Sequence, residues 1–100
     1  MSFHLTIEKA KDLLAKEASP FVVLMKDKGM SVEYFAPKDK DMQTPHVQDE
    51  LYVIASGNSE FVREKETVKC KTGDVLFVPA GMVHRFQNFS NDFATWVIFY

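Results

Sequence analysis

Gly73-Asp74-Val75-Leu76-Phe77-Val78-Pro79-Ala80-Gly81-Met82-Val83-His84-Arg85-Phe86-Gln87-Asn88 is the stretch on which the fold turns. Thr72-Gly73-Asp74 is a turn signal, Val75 to Val78 a short apolar strand, and Pro79-Ala80-Gly81 a second turn. Val83 to Phe89 then reads as the returning strand. Side chains alternate along a strand, so His84 and Phe86 share one face and Arg85 takes the other. An imidazole placed just beyond a tight turn, facing an apolar interior, is a candidate for chemistry. The alternative is a histidine that merely satisfies its hydrogen bonds at a polar mouth.

The rest of the chain repeats this pattern of short strands and turn residues. Phe21 to Met25 is an apolar strand closed by Lys26-Asp27-Lys28-Gly29, and Ser31 to Ala36 follows it. A charged loop, Pro37-Lys38-Asp39-Lys40-Asp41, leads to Thr44-Pro45-His46. Leu51 to Ala55, Glu60 to Arg63, Thr67 to Cys70 and Phe93 to Tyr100 are further strands, with Glu64-Lys65-Glu66 a solvated hairpin tip. Strands at this spacing predict an all-β antiparallel sandwich or barrel. One helix precedes them. Thr6 to Glu17 carries Ile7, Ala10, Leu13 and Leu14 at helical spacing, with Thr6 as N-cap and Ser19-Pro20 as the stop. Residues 1–100 read as a single domain. The strand Ala94 to Tyr100 is apolar on both faces, so either the helix or a second subunit must cover it, and a homodimer is expected.

Composition narrows the function classes. Twelve Lys plus Arg against fourteen Asp plus Glu give a net charge of -2, without the basic footprint of a nucleic-acid binder. Phe21 to Met25, the longest aliphatic run, is far short of the roughly 20 residues of a membrane span, and no apolar leader precedes the helix. A single cysteine, Cys70, permits no internal disulfide, and its alternation with Lys69 and Lys71 predicts a buried structural thiol. A reducing cytoplasm suits these features.

Three histidines are present. His4 stands near the start of the sequence, with no acidic or cysteine residue adjacent to it in sequence, and reads as surface. His46, Gln48 and Glu50 share a face if their segment is extended. Two histidines and a carboxylate are donors suited to a divalent transition metal. However, four residues of straight strand separate His46 from Glu50 by about 13 Å, so one ion requires a bend, for which Pro45 is a candidate place. By spacing alone, a metal site and a hydrogen-bonded polar mouth stand equal.

The opening stretch resembles the second sequence motif of the cupins: glycine, five residues, Pro-x-Gly, two residues, histidine, three residues, asparagine. Gly73, Pro79, Gly81, His84 and Asn88 occupy every specified position. The end of the first cupin motif is matched by His46, Glu50 and Gly57, whereas its first histidine is Thr44 and its leading glycine is Lys38. The resemblance implies a small cupin, a double-stranded β-helix or jelly-roll barrel. It further implies His46, Glu50 and His84 as ligands of a divalent transition metal such as Fe, Mn, Ni or Zn. Thr44 and Gln48 are possible additional site residues. Tyr52, Phe86 and Trp96 are expected to line the pocket.

Three functions follow from the resemblance. The first is a metal-dependent protein acting on a small molecule, whose metal either activates dioxygen, as in dioxygenases, or serves as a Lewis acid, as in an isomerase or lyase. The second is a non-catalytic small-molecule binding or sensor module, and the third a metal-free structural cupin. No phosphate loop, nucleophile elbow or separate base motif is present to decide among them.

Overall fold

The computed structural model describes residues 3–100. Its elements are α1 (Ile7–Leu14), β1 (Phe21–Asp27), β2 (Met30–Phe35), β3 (Glu50–Ser56), β4 (Asn58–Arg63), β5 (Glu66–Lys71), β6 (Val75–Val78), β7 (His84–Gln87) and β8 (Ala94–Phe99). A five-stranded sheet in the order β1-β2-β8-β3-β6 faces a three-stranded sheet in the order β5-β4-β7. Every pairing is antiparallel, and the sequence-adjacent pairs β1–β2 and β4–β5 are hairpins. The chain is thus mostly β with one short helix.

Thr6 caps α1, its Oγ1 accepting from the Lys9 N–H at 3.1 Å. The helix ends at Leu14 rather than Glu17. Lys16 and Glu17 bond back only three residues, to Leu13 and Leu14, so the last turn tightens before Pro20. Ala10 is the buried residue of the helix and packs, with Leu14, over Tyr34 and Ala94.

The core lies between the sheets. Phe35, Tyr52, Ile54, Phe61, Cys70, Val78, Phe86, Phe93, Val97 and Phe99 form one buried cluster. Alternation assigns them: Tyr52 and Ile54 from β3 point inward with Glu50, and Val97 and Phe99 from β8 do the same. Opposed positions also settle β2, where Glu33 pairs with Val97 and takes the inner face, while Tyr34 pairs with Trp96 beneath α1. The second face of β8 is therefore covered in part by the helix, through Ala94 and Trp96.

Gly57 is the glycine whose conformation and surroundings are most demanding. It has φ +73° at the corner between β3 and β4, and a Cβ there would lie 2.8 Å from the Cα of Phe93. The 64–65 turn closes β4 on β5, with Glu64 at φ 53°.

Candidate metal centre

The Pro79-Ala80-Gly81 turn organises the site from both of its sides. On its far side β7 begins at His84, whose ring is buried and whose Nδ1 lies 2.8 Å from the Met82 carbonyl. A carbonyl only accepts, so Nδ1 carries the proton in this bond and the neutral ring turns its Nε2 lone pair inward. On the near side the turn grips the preceding loop. The Gly81 N–H donates to the His46 carbonyl at 2.7 Å, and the Ala80 N–H donates to Asp49 Oδ1 at 2.8 Å. Asp49 thereby points away from the cluster and works as a loop staple.

The His46–Glu50 segment is not an extended strand. It bends at Val47–Gln48, and β3 begins only at Glu50. The bend follows His46 instead of falling at Pro45, and it removes the separation a straight strand would impose. His46 Nε2 lies 4.0 Å from Glu50 Oε1, which lies 2.7 Å from His84 Nε2. One ligand atom from each of the three falls within 4.8 Å of the others. This is near the span available to donors each about 2.1 Å from a single ion.

The electrostatics of this trio are unbalanced. Glu50 Oε1 and Oε2 and His84 Nε2 are buried with no hydrogen-bond partner beyond the 2.7 Å contact between Glu50 Oε1 and His84 Nε2 themselves. Two lone-pair atoms at that separation repel unless a cation, a proton or a metal ion, lies between them. Burial pushes the His84 imidazolium toward losing its proton. The Glu50 contact, the Met82 carbonyl and the charges of Glu50 and Asp41 outweigh it, and the His84 pKa is raised.

The family follows from a comparison of the sequence: residues 31–100 match the family described as a cupin domain. The chain belongs to the cupin family. An uncharacterized protein of Streptomyces coelicolor is 35% identical to this cupin over 81 residues, which cover 79% of this chain and 77% of that one. A cupin 2 conserved barrel domain protein from Salinispora arenicola superposes with a TM-score of 0.73 at 17% identity, over 100% of this chain and 88% of its own. A cupin superfamily protein from Desulfitobacterium hafniense superposes with a TM-score of 0.70 at 21% identity, covering 90% and 84% of the two chains. These structures share the jelly-roll fold with this cupin.

Not every residue expected at the site of this cupin lies there. Thr44 is exposed in irregular backbone, since the extended segment that would have given it the face of His46 is absent. Gln48 lines the mouth, where its Nε2 donates to the Gly29 carbonyl at 2.5 Å and ties the bend to the β1–β2 turn. Trp96 is a correction: it lies on the outer face of β8, its ring edge-on to Tyr34 with centroids 5.3 Å apart. Thr95, Val97 and Phe99 hold the inner positions, so alternation excludes Trp96 from the pocket. Phe86 is buried against Tyr52, Phe61 and Phe93 and packs the core behind the site. Tyr52 is buried beside His84, with ring centroids 6.0 Å apart.

Five residues outside the expected set complete the surroundings. Phe99 packs edge-on against His46, with centroids 4.8 Å apart. Glu33, Ser31 and Phe99 line, with His46 and Gln48, a mouth cavity of about 680 Å³. Burial, then the charge of Glu50, raises the Glu33 pKa, with Lys26 opposing. Asp41 and Gln43 arrive from the loop before β3, and Tyr52 donates its hydroxyl to Gln43 Oε1 at 2.9 Å. Strand alternation held the signal for Phe99 and Glu33; nothing local marked Asp41 or Gln43.

Proposed function

We propose that this cupin binds one divalent transition metal through His46, Glu50 and His84 and acts on a small molecule that enters by the mouth cavity. The observation that carries the proposal is the buried 2.7 Å contact between His84 Nε2 and Glu50 Oε1, atoms with no other hydrogen-bond partner, with the other His84 nitrogen committed to Met82. Two imidazoles and a carboxylate suit Zn, Fe, Mn or Ni better than calcium or magnesium, which prefer all-oxygen shells. A metal in this set supplies a Lewis acid for an oxygen ligand or, as iron, a site for dioxygen.

The chain's own residues prepare that site in distinct ways. Met82 fixes the His84 tautomer, and Phe99 sets the tilt of the His46 ring. Tyr52 keeps its proton, because burial and the Glu50 charge raise its pKa well above the ordinary phenol value. The mouth cavity has the size of a small-molecule site and carries Glu33 and Lys26 as groups able to meet a polar ligand. The same reading places the protein in the reducing cytoplasm, where a lone Cys70 thiol persists. It includes a homodimer and one domain spanning residues 1–100.

Elemental analysis of protein purified without a histidine tag should find about one metal ion per chain. His84→Ala should lose it, and His4→Ala should keep it. Metal-free wild-type protein that stays metal-free after incubation with Zn²⁺, Fe²⁺, Mn²⁺ and Ni²⁺ would mean that a shared proton alone satisfies Glu50 and His84. Turnover or dioxygen consumption over a panel of small polar substrates separates an enzyme from a binding module.

A further inference from the structure

We infer that Gln43 supplies a fourth donor to the metal position, through its side-chain oxygen, in the place where the sequence pattern offers only Thr44. The inference rests on the metal reading above. Gln43 Oε1 lies 3.5 Å from His46 Nε2 and accepts the Tyr52 hydroxyl at 2.9 Å. A carbonyl oxygen has two lone-pair directions, so the Tyr52 bond leaves one. That one accepts from His46 at 3.5 Å only in the tautomer that carries the proton on Nε2, and it is free for a metal when that nitrogen is unprotonated.

The orientation of the amide is set by its other end. Gln43 Nε2 donates to Asp41 Oδ2 at 2.8 Å, and the Gln43 backbone N–H donates to Asp41 Oδ1 at 3.0 Å. A carboxylate cannot donate, so a flipped amide would set oxygen against oxygen at Asp41, whereas the Tyr52 hydroxyl could accept as well as donate; it is Asp41 that fixes the orientation. Asp41 is itself buried and accepts the backbone N–H of Phe86 at 2.8 Å, which anchors the loop to β7 two residues beyond His84. The chain therefore holds a neutral oxygen beside His46 by four hydrogen bonds, three of them made by Asp41. Metal ligands are commonly oriented in this way by the groups behind them.

The reading makes chemical sense of the donor count. His46, Glu50 and His84 offer three donors, and an amide oxygen adds a fourth without adding charge. A metal ion of charge +2 would then meet one carboxylate and three neutral donors, leaving room for an exchangeable position if the coordination number is five or six.

The test uses Co²⁺ and Zn²⁺ on the full chain. In uniformly ¹³C,¹⁵N-labelled wild-type protein, Zn²⁺ should shift the Gln43 side-chain carbonyl resonance at one equivalent. Gln43→Ala should weaken Co²⁺ in a chelator competition about tenfold to a hundredfold and change its visible spectrum. Thr44→Ala should leave affinity and spectrum as in wild type, and Tyr52→Phe, which removes only a hydrogen bond to the same oxygen, should weaken Co²⁺ far less than Gln43→Ala. A Gln43 carbonyl that does not move when Zn²⁺ binds, or equal losses for Gln43→Ala and Tyr52→Phe, overturns the inference and leaves the three-ligand site standing. Wild type that binds neither metal overturns both. The resonance experiment needs no variant, so a misfolded Gln43→Ala does not remove the test.

Discussion

His84 is held at one nitrogen by a carbonyl and faces a carboxylate at the other, so a proton and the proposed metal would take the same place. In the metal-free protein its folded pKa lies above the ordinary imidazole value of about 6.5. The imidazolium then stabilises the fold fully below the unfolded pKa, and that contribution is lost as pH rises through the raised folded value. A ¹H–¹³C titration of the His84 ring should give a midpoint above about 6.5 without metal, and no titration in this range once Zn²⁺ is saturating. A midpoint below the ordinary value would show that burial prevails over Glu50. Cys70 makes the opposite case, a residue the structure takes out of chemistry. Burial, then the charge of Asp74, pushes its thiol up to about 11, and its Sγ rests 3.6 Å from the Ser59 carbonyl. Native protein at pH 8 should therefore react with an alkylating reagent much more slowly than denatured protein. Comparable rates would place Cys70 at the surface.

Among the elements, the corner between β3 and β4 carries the sharpest constraint. Gly57 combines a left-handed backbone with a contact that a methyl group would violate, against Phe93 and the Ser90–Asp92 turn. Gly57→Ala should destabilise the protein by at least about 1–2 kcal/mol from the backbone alone, with the steric overlap adding to it. Urea unfolding measures this, and an unchanged midpoint would mean the corner relaxes freely. The β6–β7 turn is the functional counterpart. It places His84 on one side and holds His46 and Asp49 on the other, so a local turn becomes the hinge of a site assembled from two separate segments. Its Pro-x-Gly pattern was legible because proline and glycine restrict or extend backbone angles whatever the tertiary context.

Taken as a molecule, two sheets enclose an aromatic core, while β6 lies at the edge of the larger sheet with an apolar outer face. Val75 is 61% exposed and Phe77 43% exposed there. The expectation of a second subunit began from β8, but α1 covers part of that strand, so the remaining motive is the β6 edge, which a partner would bury. Light scattering at micromolar concentration should give twice the 11.5 kDa of one chain. A mass of one chain, with Phe77→Lys behaving identically, would rule the dimer out.

The resemblance to the cupin motifs pointed to three of the residues that converge at the centre, while the sequence by itself determined the strand count, the turns and the capped helix. These follow from properties that act within a few residues: alternation with period two, proline and glycine backbone limits, and a threonine side chain reaching its own helix. It also established that His46 and Glu50 could share an ion only if the chain bent. Where it bends was decided by contacts from elsewhere, the Gly81 N–H on the His46 carbonyl and the Gly29 carbonyl on Gln48. The same holds for Trp96, which was expected to line the pocket and which sheet pairing turned outward beside Tyr34. Gln43 and Asp41 have no local pattern at all. They reach the centre because the Phe86 backbone, 45 residues away, presents an N–H that only a folded β7 can offer. A hydrogen bond across that separation exists once the sheets have closed, and it is tertiary packing that selects which loop residue stands beside the histidines.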